Sequence, residues 1–285
     1  MSKKTIIITG ANSGIGYETA LHFAKRGDII AMVCRSKQKG ETAKTEIERL
    51  SGNKDISLII ADLSSVNQSR QLAKTLAEKY PVIDVLVNNA GSIIYDYIET
   101  EDGYESTFAA NHLAYFILAN GLLENLKRAP EGRIINVASE AQRAGGLNFD
   151  NINLKGKYDP IKAYCQSKLA NIVFTYELAK RLEGTNVTTN CMHPGTVRTG
   201  FGMQYKGIIG SLFRMVRPFM RGSKKGAETI IWLAESPELK GVNGKYYYDK
   251  KAIKSIPTSY DPAVQKRLWD LSEEMIKFKV KGDFK

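Results

Sequence analysis

The feature that most constrains this chain is a rhythm. Short runs, mostly apolar and rich in β-branched residues, recur between longer amphipathic stretches. The runs cover residues 6–9, 29–34, 56–61, 85–88, 133–138, 187–192 and, more weakly, 244–248. Short runs without polar alternation mark strands buried on both faces, because a strand with one wet face alternates. The intervening stretches 41–50, 65–79, 104–126, 161–181 and 226–234 carry apolar residues at helical spacing. Strands that alternate with helices fold as right-handed crossovers around a parallel sheet. Seven such strands use nearly all of the 285 residues. The sequence therefore predicts one α/β, doubly wound domain over 1–285, with a seven-stranded, mainly parallel sheet flanked by helices on both faces. Only 199–223 breaks the rhythm; it is too long for an ordinary connection. A short C-terminal tail is expected after the last strand.

Composition excludes several classes. At 43% hydrophobic and 25% charged, the chain is neither disordered nor collagen-like. Cys34, Cys165 and Cys191 form no CxxC pair, which argues against a zinc ribbon or disulfide framework and fits a reducing compartment. His22, His112 and His193 lack metal-ligand spacing, so each reads as structural and no metal is expected. No apolar run approaches the roughly 18 residues of a membrane span, and a cytoplasmic protein is expected. The net charge of +11 admits an anionic partner or a solvated basic surface. No nucleic-acid recognition motif accompanies it, so no nucleic acid is expected.

The first run leads into Thr9-Gly10-Ala11-Asn12-Ser13-Gly14-Ile15-Gly16, where a helix begins. In open parallel sheets, ligands bind beyond the C-terminal strand ends. Gly10 would allow the tight turn, Gly14 the approach of a phosphate, and Gly16 close packing of helix on strand. The helix start then offers free N–H groups and a positive dipole end to a pyrophosphate. This is the placement expected of a Rossmann dinucleotide site, although a glycine-rich turn alone is also compatible with a purely structural role.

The second run discriminates between dinucleotides. An NAD site places an acid about 20 residues past the glycine turn, to accept from the ribose 2′-OH. Residues 29–36 contain no acid; they end Val33-Cys34-Arg35-Ser36. The Arg35 guanidinium and Ser36 hydroxyl suit a 2′-phosphate, so NADP is expected over NAD. The competing reading is that Arg35 merely caps the strand.

The chemistry is expected at the other end of the sheet. The 104–126 stretch puts Tyr104, Phe108, Asn111, Tyr115, Leu118 and Leu122 on one face. Asn111 is the amide in that face, and spacing alone favours a structural hydrogen-bonding role over holding a water. The fifth run ends at Ser139. The next helix holds Tyr164 and Lys168 four residues apart, on one face and about 6 Å apart along the axis. A free tyrosine titrates near ~10, and acid/base work near neutrality wants it stabilised as phenolate by ~4 kcal/mol. One ammonium about 5 Å away supplies roughly 3 kcal/mol at an effective dielectric of ~20. The positive ring of an oxidised nicotinamide could supply much of the rest. A Tyr–Lys pair of this kind suffices as a proton donor and acceptor, although such pairs also occur by chance.

Taken together these residues resemble the short-chain dehydrogenase/reductase superfamily over almost the entire chain. The likeness rests on the Thr9–Gly16 turn, Asp62-Leu63, Asn88-Asn89-Ala90-Gly91, Asn111, Ser139, Tyr164/Lys168 and Pro194-Gly195-Thr196-Val197-Arg198-Thr199. Residues 163–182, Asn111-His112-Leu113, His193-Pro194-Gly195, Pro237-Glu238-Leu239 and Gly244-Lys245-Tyr246 resemble its retinol dehydrogenase-like branch. The resemblance implies that Tyr164 is the general acid/base, that Lys168 lowers its pKa and binds the nicotinamide ribose, and that Ser139 orients the substrate oxygen. It also implies a water held by Asn111, against the reading from spacing. Asp62 and Leu63 would frame the adenine, and Asn89, Ala90 and Gly91 the nucleotide pocket. Asn12, Ser13 and Ile15 would line the glycine turn. Pro194, Gly195 and Val197 would pass over the nicotinamide, with Thr199 at its amide.

The implied activity is NADP(H)-dependent hydride transfer to or from a lipophilic alcohol/carbonyl substrate. The resemblance makes 199–223 a substrate-binding lid insertion, and its Ile208, Leu212, Phe213, Met215 and Phe219 agree with a lipophilic partner. Between Lys206 and Lys225 stand six basic residues and no acid, so region 206–225 either rests on an anionic membrane surface or packs on its own protein. The superfamily also admits a homodimer through helices flanking the sheet. Two alternative activities remain: reduction of a conjugated, pigment-like double bond, and NADP sensing without turnover.

Overall fold

The computed structural model describes residues 3–196 and 221–277. Seven strands run parallel: β1 (Thr5–Thr9), β2 (Ile29–Cys34), β3 (Ile56–Ile60), β4 (Val85–Asn88), β5 (Gly132–Val137), β6 (Val187–Met192) and β7 (Tyr246–Tyr248). An eighth, β8 (Lys251–Ile253), pairs antiparallel with β7, giving the order β3-β2-β1-β4-β5-β6-β7-β8. The sheet thus has one strand more than expected. At three residues β8 is too short to show a period, and its exposed Lys251 and Ala252 give no apolar run.

Chain order reverses between β1 and β4, and a crevice opens there beyond the strand ends. Along β1, Ile6 and Ile8 face one side and Ile7 the other, all fully buried. One layer holds α1 (Gly14–Lys25), α2 (Lys37–Ser51) and α8 (Ser223–Glu235), packed through Phe23, Ile47 and Ile230. The opposite layer holds α3 (Val66–Lys79), α5 (Ala114–Gly121), α7 (Pro160–Arg181) and α9 (Pro262–Lys277). Leu76, Phe116, Phe174 and Trp269 fill it.

Two other expectations need correction. The continuous helix over 104–126 is broken into α4 (Ser106–Phe108), a π turn over Ala109–Leu113, α5, and α6 (Leu123–Lys127). In the π turn the Ala114 N–H reaches back five residues to the Ala109 carbonyl. The amphipathic face survives the break, so periodicity could not reveal it. The C-terminal tail is instead the helix α9. Trp269 on α9 packs against Phe116 and Phe174, with ring centroids 4.8 and 5.9 Å away, and the Arg181 guanidinium lies 4.0 Å over it. Burying such a ring stabilises the fold by about 1.5–3 kcal/mol. The lid at 199–223 falls outside the described residues except for 221–223.

Candidate active site

One cavity of about 1180 Å³ runs along the C-terminal strand ends, from the β1–α1 turn to the β5–α7 region. At its first end the wall is organised around the glycine turn. Gly10 has φ +68°, and a Cβ there would stand 3.0 Å from both the Ala90 Cα and the Asn89 Nδ2. Gly14 opens α1 with φ +59°. Gly16 lies behind the cavity wall, where a Cβ would meet Asn89 Nδ2 at 2.6 Å and press on the Gly10 carbonyl. Asn89 clamps the turn by donating to the carbonyls of Thr9 (2.8 Å) and Gly10 (3.4 Å). The Thr9 hydroxyl in turn accepts from the N–H groups of Asn89 and Ala90, both at 2.9 Å.

Ser13 is the N-cap of α1, but its side chain makes no capping bond. The first N–H groups of this 12-residue helix therefore lack a side-chain cap from Ser13, which suits a pyrophosphate. Asn12, Ser13, Ile15, Asp62, Leu63 and Ala90 also line the cavity. Asp62 is braced by Ser64, accepting from its N–H at 3.0 Å and its hydroxyl at 2.8 Å. Arg35 lines the same end, exposed and with no hydrogen-bond or ion-pair partner among the described residues. Ser36 does not join it: its hydroxyl caps α2 by accepting from the Lys39 N–H at 3.4 Å. A nicotinamide dinucleotide fits this set of groups, with donors at the helix start, no Cβ at Gly10 or Gly14, and the Arg35 guanidinium beyond β2.

The second end is built from side chains. Ser139, Tyr164 and Lys168 all line the cavity. The Ser139 Oγ accepts from the Ala141 N–H at 3.2 Å, which leaves its own hydrogen available to a ligand oxygen. Tyr164 is half-buried on α7. One turn later Lys168 is 3% exposed, and its Nζ lies 5.7 Å from the centroids of the Tyr164 and Tyr115 rings. The ammonium donates to the Val137 carbonyl at 2.9 Å. Burial pulls its pKa down from 10.5 to about 7. Tyr115 donates to the Ala90 carbonyl at 2.8 Å, so its ring supports both Lys168 and the loop after β4.

Asn111 is fully buried in the π turn and lies behind the cavity. Its amide nitrogen donates to the Ser92 carbonyl and the Ser167 hydroxyl, both at 3.0 Å, and its oxygen accepts from the Ser92 N–H at 2.9 Å. These bonds tie the loop after β4 to α7. A Cβ on Gly91 would stand 3.1 Å from Lys168 Nζ and 3.2 Å from Asn111 Oδ1, so both atoms border that glycine. The carbonyl of Val137, the ring of Tyr115 and the hydroxyl of Ser167 had no role in the sequence reading. Tyr115 shares the Asn111 face at helical spacing, which is the one signal that could have singled it out.

Pro194 and Gly195 line the cavity, whereas Val197 and Thr199 lie outside the described residues. His193 stacks on Tyr248 at 4.4 Å and faces Glu140 at 3.3 Å. Among the described residues, no group of three or more His, Cys, Asp or Glu side chains is gathered as a metal ion requires. Among them, too, no helix is long and apolar enough to cross a membrane.

A doubly wound sheet, a glycine turn at its switch point and a Ser/Tyr/Lys wall define a short-chain dehydrogenase. The chain belongs to that family, whose short chain dehydrogenase profile matches residues 4–207. It falls in the retinol dehydrogenase-like branch. It is 40% identical to Retinol dehydrogenase 14 of Homo sapiens over 97% of this chain and 87% of that one. It is also 40% identical to Retinol dehydrogenase 13 of Homo sapiens, over 96% and 84%. The crystal structure of an uncharacterized protein from Mycobacterium paratuberculosis matches with a TM-score of 0.76 at 30% identity, covering 97% of this chain and 94% of that one. A short chain dehydrogenase from Escherichia coli CFT073, complexed with NADPH, shares the fold at a TM-score of 0.68 and 22% identity, covering 87% and 96%. The family is one of nicotinamide-dependent oxidoreductases.

Proposed function

We propose that this oxidoreductase uses NADP(H) and acts on a lipophilic alcohol/carbonyl pair. The observation that carries the reading is the wall itself: Ser139, Tyr164 and Lys168 face one cavity with the glycine turn at its far end. A nicotinamide dinucleotide bound there supplies the hydride in reduction and receives it in oxidation. In reduction, the Ser139 hydroxyl donates to the carbonyl oxygen and holds it, while the Tyr164 phenol gives that oxygen its proton. Lys168, when protonated, favours the resulting phenolate and so lowers the barrier to proton release. Asn111 keeps Lys168 and Gly91 in register and retains a second lone pair on Oδ1 for a water. In oxidation, the same residues move the proton the other way.

Preference for NADP is supported by Arg35, which has no hydrogen-bond or ion-pair partner among the described residues, and by the absence of an acid in 29–36. A lipophilic substrate is supported by Ile93, Ile161 and Ile253 in the cavity wall and by relatives named retinol dehydrogenases. The remaining proposals concern partners. Region 206–225 would meet an anionic membrane surface, through the residues beyond Arg221 and Lys225, which pair with Asp249 and Glu228. A homodimer would form through helices flanking the sheet.

The test is NADPH oxidation across medium-chain aldehydes, ketones and all-trans-retinal. Tyr164→Phe should lower turnover by about 10³-fold while leaving NADPH binding within about 3-fold of the parent, because it removes one proton and little else. Retained turnover overturns the assignment of Tyr164, and a saturated carbon–carbon bond in the product would favour the double-bond reductase.

A further inference from the structure

His112 follows Asn111 in the π turn and is fully buried between the rings of Phe108 and Phe174, 4.9 and 5.9 Å away. Both its nitrogens are nevertheless engaged. Nδ1 lies 3.3 Å from Asn171 Oδ1 on α7, and Nε2 lies 3.0 Å from the Ser272 hydroxyl on α9. Asn171 stands one turn beyond Lys168. Its amide nitrogen donates at 3.5 Å to the Val137 carbonyl, the same oxygen that accepts from Lys168 Nζ at 2.9 Å. A continuous path thus runs from the C-terminal helix through His112 and Asn171 to the anchor of the ammonium.

The hydrogen positions follow from the partners. A carbonyl only accepts, so Asn171 turns its NH₂ to Val137 and its oxygen to His112, and Nδ1 must carry the ring hydrogen. Burial keeps the imidazole neutral, with its pKa pulled down to about 4. Nε2 is then an acceptor, and Ser272 donates to it. The Ser272 hydroxyl also lies 2.8 Å from the Leu268 carbonyl, so its hydrogen is shared between two acceptors. In a setting this apolar, each bond left unmade is costly, which makes the path stiff. Among the described residues, the titratable groups brought up to Lys168 are Tyr115 and Tyr164.

We infer that His112 is a positioning residue: with Asn171 and Ser272 it fixes the Val137 carbonyl, and through it the place of the Lys168 ammonium. The C-terminal helix is thereby part of the acid/base apparatus rather than a cover for the core. This rests on the role proposed above for Lys168, but its test uses neither cofactor nor substrate.

The experiment is a ¹³C NMR titration of the apo protein labelled at lysine Cε, with the Lys168 signal assigned by its loss in Lys168→Arg. In His112→Leu the Lys168 midpoint should rise by about half a pH unit or more, as the loosened ammonium gains cavity water. In His112→Asn, whose amide nitrogen stands where Nδ1 stood, the midpoint should return to within about 0.2 of the parent. Val173→Ala, a core truncation on the same helix, should lower the Tm and leave the midpoint in place. Should His112→Leu not fold, Ser272→Ala reads the same upward shift. An unmoved midpoint in His112→Leu or Ser272→Ala overturns the inference. So does an equal shift in Val173→Ala, or a His112→Asn midpoint no closer to the parent than that of His112→Leu.

Discussion

At the β1–β2 end of the cavity, the organising groups are Gly10, Gly14 and Gly16, whose lack of side chains shapes the turn. At the β5–α7 end they are side chains, each held by another group: Lys168 by Val137 and Tyr115, Asn111 by Ser92 and Ser167. Under the proposed function the first end would bind a common group, a pyrophosphate, with parts that any sequence of the right spacing can supply. The second end would perform the chemistry, and its parts come from four separated segments held together by buried polar bonds. The difference is one of cost. Backbone N–H groups at a helix start carry no charge to bury, whereas Lys168 is 3% exposed with no carboxylate beside it among the described residues.

That contrast can be broken or sharpened by mutation. The largest expected effect falls on Lys168. Its folded pKa of about 7 lies below the ordinary 10.5. Between those values the unfolded chain holds a proton that the folded chain does not, so the stability of the apo protein should rise with pH from about 7 towards 10. Lys168→Met should therefore stabilise the apo protein by about 2–4 kcal/mol at pH 6, and that advantage should shrink as the pH climbs through this window. Urea melts at several pH values check it; a constant difference would mean that burial of Lys168 is not the cost described.

A smaller effect is expected at Arg35. Arg35→Ala should reduce the preference for NADPH over NADH in kcat/KM by about 10- to 100-fold, the worth of a charge-assisted phosphate contact, with little change in kcat. Undiminished preference would move the 2′-phosphate away from β2. The smallest effect is at Ser36. Since its hydroxyl caps α2, Ser36→Ala should cost about 1 kcal/mol of stability and leave cofactor preference alone. A lost preference there would return Ser36 to the phosphate site that the sequence reading gave it.

Much of the fold was legible before any coordinates. Six of the seven expected strands lie within one residue of their observed ends, because apolar runs and their breaks report burial directly; β2, β4 and β6 match the expectation at both ends. The candidate site was legible where its signal is local: the glycine turn, Tyr164 and Lys168 four apart on α7, and Ser139 just past β5. It was not legible where the signal is a pairing. Asn111 and Tyr115 sit on one expected helix face and His112 was read as structural, but their partners Ser92, Ser167, Asn171, Ser272 and Ala90 are 19 to 160 residues away in the chain. Resemblance assigned Asn111 a water, while spacing assigned it protein partners, and its amide makes three protein bonds.

What the sequence determined by itself was the alternation of strand and helix, the class of sheet that follows, and the two motifs written within a single turn or helix. These depend on residues a few positions apart, whose geometry is set by backbone periodicity alone. Tertiary structure decided the rest: the π turn that carries Asn111 and His112, the hairpin that adds β8, the docking of α9 and the burial of Lys168. Each of these depends on which distant groups meet once the layers close, and buried polar groups take up those partners only when water has been excluded from between them.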